Sequence, residues 1–118
     1  MSTLTTISIT IVILLHVSFM VLEMFLWDTP VGRKTFGLSP EFAKQSATLA
    51  ASQGLYNGFL AAGLSWGLFS TGGTDALIFF LACIVIAGIY GAVTASRSIL
   101  FLQALPAAAA LSLLILNN

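Results

Sequence analysis

Two ionisable side chains lie in one apolar stretch near the start of the chain. His16 and Glu23 are its only strongly polar residues, and the stretch ends at Trp27, Asp28 and Pro30. Seven residues apart on a helix, His16 and Glu23 lie within about 20° of each other, at roughly 100° per residue. A histidine and a carboxylate can bind a cation or exchange a proton, and within a membrane helix they normally face protein or water. The pair therefore predicts a polar site inside a membrane domain.

The composition predicts one membrane-embedded domain that spans residues 1–118. Hydrophobic residues make up 58% of the 118 residues and charged residues 7%, against roughly 25% charged in a soluble protein. Eight charged side chains could not cover the surface of a soluble domain of this size. We therefore expect the lipid bilayer to be a partner. The net charge is zero and no basic stretch occurs, so nucleic acid is not expected as a partner.

Neither a metal nor a cofactor is expected. Cys83 and His16 are the single cysteine and the single histidine, too few for a zinc site. A haem or quinone site has no more support. Phosphate-binding glycine loops and serine elbows are also missing from the sequence, so an enzyme is not favoured. The N-terminal stretch lacks the basic start and cleavage site of a signal peptide, and we interpret it as a retained membrane helix.

Apolar runs of about 20 residues are long enough to span a bilayer. Four are found, at about 4–27, 47–69, 75–95 and 98–116. The predicted fold class is all-α: an antiparallel four-helix transmembrane bundle.

Local signals add detail between and within these helices. Thr29 and Pro30 are typical of a helix start and Gly37 of a helix end, which predicts a short interfacial helix over 30–36. A second start signal at Pro40 places the beginning of the next helix there. Pro106 lies inside the last predicted helix and should kink it near residues 102–103.

The basic residues predict the orientation. Arg33, Lys34 and Lys44 follow the first predicted span, and Arg97 lies between the third and fourth. With four spans all of them fall on one side, which the positive-inside rule makes cytoplasmic. Loops 28–46 and 96–98 would then be cytoplasmic and both termini outside.

Depth in the bilayer groups the polar residues of the four helices. With midplanes near Val17, Gly58, Ile86 and Ala107, a second polar level lies roughly 6–9 Å toward the cytoplasm. His16 and Asn57 fall near the midplane, and Glu23, Gln53, Tyr90 and Gln103 fall on the second level with Arg97 just beyond. These seven residues are the candidate ligand- or proton-binding site, a polar pocket centred on Glu23. Gln53 and Asn57 are four residues apart, and we expect both amides to face inward. Arg97 is the predicted ion-pair partner of Glu23.

Each of these residues also has a purely structural interpretation. Glu23 lies one turn from Trp27 and could extend its carboxylate to the membrane surface. His16 could be a neutral packing residue, and the amides of Gln53 and Asn57 could hold helices together without binding any ligand.

Small residues indicate close helix packing. The pairs Gly54/Gly58 and Gly63/Gly67 occupy opposite faces of the second predicted span. One of these faces could form a homodimer, since small residues let helices approach in lipid. A second small-residue stripe, at Ala87, Gly91 and Ala95, marks the third span, and Gly88 adds to it.

Several stretches resemble a bacterial family of small integral membrane proteins catalogued as domain of unknown function 1304. They are Glu23 to Pro30, Gly32 to Lys34, Phe36 to Leu38, Gln53 to Leu64, Gly88 to Ala92 with Arg97, and Gln103 to Ala107. The family pattern has an acidic residue before the histidine, whereas Leu15 precedes His16 here, which weakens a histidine–carboxylate dyad within one helix. The resemblance implies a four-span protein of the bacterial inner membrane, with no activity attached.

Three functions fit these observations. The first is a small transporter or a membrane protein that binds a small or lipid-like ligand at Glu23. The second is an intramembrane enzyme that acts on a lipid-like substrate, with Glu23 or His16 as acid or base. The third is a structural or regulatory subunit whose polar residues only fix helix packing. A cavity at Glu23 would favour the first two.

Overall fold

The computed structural model describes residues 1–117, which are helical and contain no strand. The elements are α1 (Thr3–Phe25), α2 (Pro30–Phe36), α3 (Pro40–Phe69), α4 (Thr74–Thr94), a π-helical turn (Leu100–Ala104) and α5 (Leu105–Leu116). The all-α class is therefore confirmed. By length and composition α1 and α4 are able to cross a membrane. The four-span bundle goes beyond this finding and stays a prediction.

The local signals between α1 and α3 give the expected elements. Thr29 is the N-cap of α2 and accepts a hydrogen bond from the Gly32 backbone N–H. Gly37 ends α2 with φ 65°, in the left-handed region that glycine adopts without a steric penalty. The short helix predicted over residues 30–36 is confirmed with the same bounds, and α3 begins at Pro40 as expected.

The last predicted helix is divided by a π-helical turn. Pro106 has no backbone N–H, so the Leu102 carbonyl cannot receive the usual helical bond from it. The chain widens there, and the Leu105 N–H donates to the Leu100 carbonyl five residues back. The distortion lies where the kink was predicted. Its form, a wider turn, is one of the known ways in which a helix accommodates an interruption.

The residues fall into two compact units. One is His16–Phe59, which contains the end of α1, all of α2 and the first two thirds of α3. The other consists of Met1–Leu15 and the chain from Leu60 onward. Its core is aliphatic and comprises Ile9, Val12, Leu64, Leu77, Leu81, Ile84, Ala107, Ala110 and Leu114.

Gly88 continues the buried face of α4 toward the π-helical turn. A Cβ at Gly88 would lie 2.6 Å from the backbone nitrogen of Ala104 and 2.8 Å from its Cα. Ala87 and Ala95 are exposed. Of the small residues predicted to pack on this helix, Gly88 makes the close approach because it is in phase with Leu77, Leu81 and Ile84. A Cβ at Gly91 would lie 3.1 Å from Cγ2 of Ile99, so Gly91 also packs closely.

Candidate functional site

A hydrogen bond between Glu23 of α1 and Asn57 of α3 lies at the centre of the candidate site. The Asn57 side-chain nitrogen Nδ2 donates to Oε1 of Glu23 at 2.5 Å. Asn57 is buried and Glu23 half-buried. An amide that donates to a carboxylate forms a charge-assisted bond, which is stronger than a bond between neutral groups.

A close approach of the two helices allows this bond. A Cβ on Gly54 would lie 3.0 Å from Cβ of Glu23 and 2.7 Å from Cγ of Met24. One turn further along α3, a Cβ on Gly58 would lie 2.8 Å from the Met20 sulfur. The absence of side chains at these two glycines brings the α3 backbone near Glu23.

The expectation that both amides face inward holds for Asn57 and is wrong for Gln53, which is exposed. The predicted depth in the bilayer placed Gln53 at the level of Glu23. The residue that lies opposite Glu23 is Gly54, which follows Gln53 in the sequence. Depth along the axis does not fix direction around it, and neighbouring residues differ by about 100°. The long Glu23 side chain instead reaches Asn57, one turn along.

The second carboxylate oxygen of Glu23 has no protein donor. Among residues 1–117, the bond from Asn57 is the sole hydrogen bond that the Glu23 carboxylate accepts, and it goes to Oε1. Since no fully buried side-chain oxygen in this part of the chain lacks a partner, Oε2 is accessible from the surface. One oxygen is thus held in place, while the other can bind a proton or a cation.

His16 belongs to the same unit as Glu23 and is completely buried. Its ring packs edge-on against Phe19, with the two centroids 5.2 Å apart. This burial agrees with its predicted position inside the protein.

The remaining candidates belong to the other unit. Tyr90 on α4 is 71% exposed, Arg97 is exposed after α4, and Gln103 is half-buried in the π-helical turn. We predict from the sequence that these three residues share a pocket with Glu23 and that Arg97 forms an ion pair with it. Both stay predictions.

Residues 26–46, which we call the corner, are held by bonds that the sequence did not suggest. Asp28 and Arg33 form an ion pair of 2.9 Å, and the Thr29 hydroxyl donates to the Leu26 carbonyl at 2.6 Å. Gly32 is pressed against the end of α1, where a Cβ would lie 1.9 Å from the Leu26 carbonyl oxygen. No other residue type fits at this position without moving the backbone.

Trp27 connects this corner to α3. Its indole Nε1 donates to the Ser46 hydroxyl at 2.9 Å, and its ring lies 4.8 Å from that of Phe36. The Ser46 hydroxyl donates in turn to the Phe42 carbonyl. Trp27 and Ser46 are nineteen residues apart, and no local sequence signal predicts such a pair.

A metal site of the usual ligands is not formed by the described residues. Within residues 1–117, no group of three or more histidine, cysteine, aspartate or glutamate side chains could hold an ion. Cys83 is a free, half-buried thiol.

The sequence comparison identifies the family. A family described as protein of unknown function (DUF1304) matches residues 10–115, which include every candidate residue above. The chain belongs to this family. The chain is similar to the uncharacterized protein YpaA of Lactococcus lactis subsp. lactis (strain IL1403). It is 30% identical over 87 residues, which cover 71% of this chain and 73% of the relative. No solved structure matches the chain.

Much of the family resemblance lies in the corner and at Glu23. Gly32 is required for close packing, Thr29 caps α2, and Arg33 binds Asp28. These residues therefore have structural roles that are visible in the fold. Glu23 differs from them because one of its oxygens has no protein donor.

Proposed function

We propose that this protein is a multi-pass integral membrane protein that binds a proton or a cationic ligand at Glu23, as a small transporter or ligand-binding protein. The single observation that carries the ligand proposal is the Glu23 carboxylate, with Oε1 bonded to Asn57 and Oε2 without a protein donor.

The distribution of polarity supports the membrane assignment. Large apolar side chains are exposed along α1, α3 and α4; among them Leu14 is 60%, Leu49 77%, Phe69 84%, Ile86 68% and Val93 81% exposed. Polar His16, Asn57 and Thr5 are buried. A soluble domain normally has the opposite arrangement, whereas lipid is a suitable solvent for such an exterior.

We propose four spans. Two of them are α1 and α4, which are long and apolar enough by themselves. The other two are α3 and the segment from Leu100 to Leu116. α3 has 30 residues, about 45 Å at 1.5 Å per residue, which exceeds the hydrocarbon thickness of about 30 Å. Gln53 and Asn57 lower its hydropathy, and burial of Asn57 against Glu23 removes part of that cost. The orientation that we propose has residues 28–46 and Arg97 in the cytoplasm of a bacterial cell.

Cysteine labelling tests the topology. Cys83→Ser gives a cysteine-free chain, to which Thr35→Cys or Thr71→Cys is added. Four spans predict that a membrane-impermeant maleimide labels Thr71→Cys in intact cells and Thr35→Cys only after lysis. Labelling of both positions in intact cells would contradict the orientation.

The ligand proposal is tested with Glu23→Gln in the full chain. Glutamine keeps an acceptor for Asn57 but loses the charge. We expect tetraphenylphosphonium, a lipophilic cation, to raise the unfolding temperature of the unaltered protein, or the reconstituted protein to carry protons across vesicles. Glu23→Gln should abolish whichever response is found. Glu41→Gln, which removes an exposed carboxylate on the first turn of α3, is the matched control and should keep it.

A structural role is the second candidate, and the close packing at Gly54 favours it. In a structural role, the Glu23–Asn57 bond would only hold α1 against α3. Retained cation and proton responses in Glu23→Gln, or a loss of stability alone, would support this role against ligand binding.

Self-association stays a further proposal. Within their own units, Gly54 and Gly58 face Met24 and Met20 of α1, while Gly63 and Gly67 face Phe80 and Leu77 of α4. These glycines already pack against side chains of the same chain. A homodimer would therefore use the surface beside them.

A further inference from the structure

The corner combines positive charge with exposed apolar side chains. Three of the four basic residues of the chain lie in it: Arg33, Lys34 and Lys44. Arg33 is paired with Asp28 at 2.9 Å. Lys34 and Lys44 are exposed, and neither has an ion pair or a hydrogen bond within residues 1–117. With Glu41 as the other acid, the corner has three cations against two carboxylates.

The packing of α2 fixes where Lys34 points. Gly32 presses against the Leu26 carbonyl, so that side of α2 is buried. Lys34 follows two residues later, about 200° around the helix, and therefore lies on the opposite, open side. Val31, one turn before Lys34, is 57% exposed on a neighbouring part of the same surface.

Aromatic side chains give the corner an apolar part. Phe36 packs against Trp27 with the two ring planes tilted by 40° and is still 38% exposed, and Phe42 at the start of α3 is 53% exposed. The Trp27–Ser46 hydrogen bond keeps the indole in place. Exposed apolar side chains beside unpaired lysines are typical of segments that lie at an anionic membrane surface.

We propose that the corner binds the phosphate of an anionic phospholipid headgroup through Lys34 and Lys44, with Val31, Phe36 and Phe42 in contact with the acyl chains. The proposal rests on the membrane assignment but not on ligand binding at Glu23. Lysine binds phosphate as a point charge, so charge rather than headgroup shape selects the lipid.

Lipid titration of the purified full chain in a neutral detergent tests this site. The probes are dioctanoyl phosphatidylglycerol, dioctanoyl phosphatidylcholine and inorganic phosphate, and bound lipid is counted by native mass spectrometry. We expect phosphatidylglycerol to bind in preference to phosphatidylcholine, and Lys34→Gln and Lys44→Gln each to weaken its binding about five-fold.

Matched variants make the result specific. Lys34→Arg keeps the charge and should keep the affinity, whereas Glu41→Gln removes an acid and should raise it. All these side chains are exposed, and circular dichroism verifies that each variant is folded.

Three outcomes would overturn the proposal: equal binding of the two lipids, unchanged phosphatidylglycerol binding in Lys34→Gln/Lys44→Gln, or full competition by inorganic phosphate. The last would indicate a site for the free ion. A carbonate wash of membranes separates this failure from that of the membrane assignment. A chain released by carbonate is not integral, whereas a retained chain without lipid preference contradicts the headgroup site alone.

Discussion

Asn57 donates a 2.5 Å hydrogen bond to Oε1 of Glu23, directly beside the place where Gly54 lets α3 approach α1. The bond joins α1 and α3 through two polar side chains. Its contribution to stability can therefore be measured by mutation.

Asn57→Ala should lower the free energy of unfolding by about 1 kcal/mol, the usual net contribution of one hydrogen bond. A double-mutant cycle with Glu23→Ala isolates the pair, and circular dichroism during titration with dodecyl sulfate measures each variant. Gln53→Ala removes the same kind of amide from an exposed position of α3 and should change stability little. Equal effects of the two alanine variants would show that the bond adds nothing.

Gly32→Ala should destabilise the corner by about 3 kcal/mol, because the new Cβ would overlap a backbone carbonyl and cannot be relieved by a rotamer change. Gly58→Ala is the matched control. Its Cβ meets the Met20 sulfur, near the end of a flexible side chain, and should cost about 1 kcal/mol or less. Denaturant titration of both variants gives the difference, and a smaller cost for Gly32→Ala would contradict the packing described.

Trp27→Phe and Ser46→Ala should each cost about 1 kcal/mol, since each removes the same side-chain hydrogen bond. The double variant should cost less than the sum of the two. Trp66→Phe is a suitable control because Trp66 is 66% exposed. Additive costs for Trp27→Phe and Ser46→Ala would mean that the bond is not formed in solution.

Gly88→Ala should lower stability by about 2 kcal/mol, because its Cβ would meet backbone atoms of Ala104 in the π-helical turn. Ala87→Val, at the exposed neighbouring position, should change stability by about 0.5 kcal/mol or less. Thermal unfolding compares the two. A tolerated alanine at 88 would indicate that α4 and the turn are further apart than the structure has them.

Signals that act over a few residues were sufficient to predict local structure. Thr29, Pro30 and Gly37 gave the bounds of α2, and Pro106 gave the position of the helix distortion. Contacts between helices were predicted less well. Helix rise placed Gln53 level with Glu23, one residue from Gly54, which lies against it. The same argument put Asn57 on a different level, but the hydrogen bond joins Glu23 to Asn57, because direction around the axis and the length of the Glu23 side chain decide the partner.

Long-range pairs in the corner had no signal at all. The bond from Trp27 to Ser46 depends on how α2 folds back between α1 and α3, and that path is fixed by the space available beside Gly32. Packing of this kind depends on α1, α2 and α3 together. A sequence pattern within one of these segments therefore does not predict it.

The π-helical turn before Pro106 has an evolutionary consequence. A π turn contains about one residue more than an α turn, so it behaves as a one-residue insertion held within a helix. Deletion of one residue from 100–104 would restore an ordinary α turn, and the helical segments on either side would keep their faces. A relative that is one residue shorter at this place should therefore keep the buried faces of α4 and α5, and only Gln103 and its neighbours inside the turn would change direction.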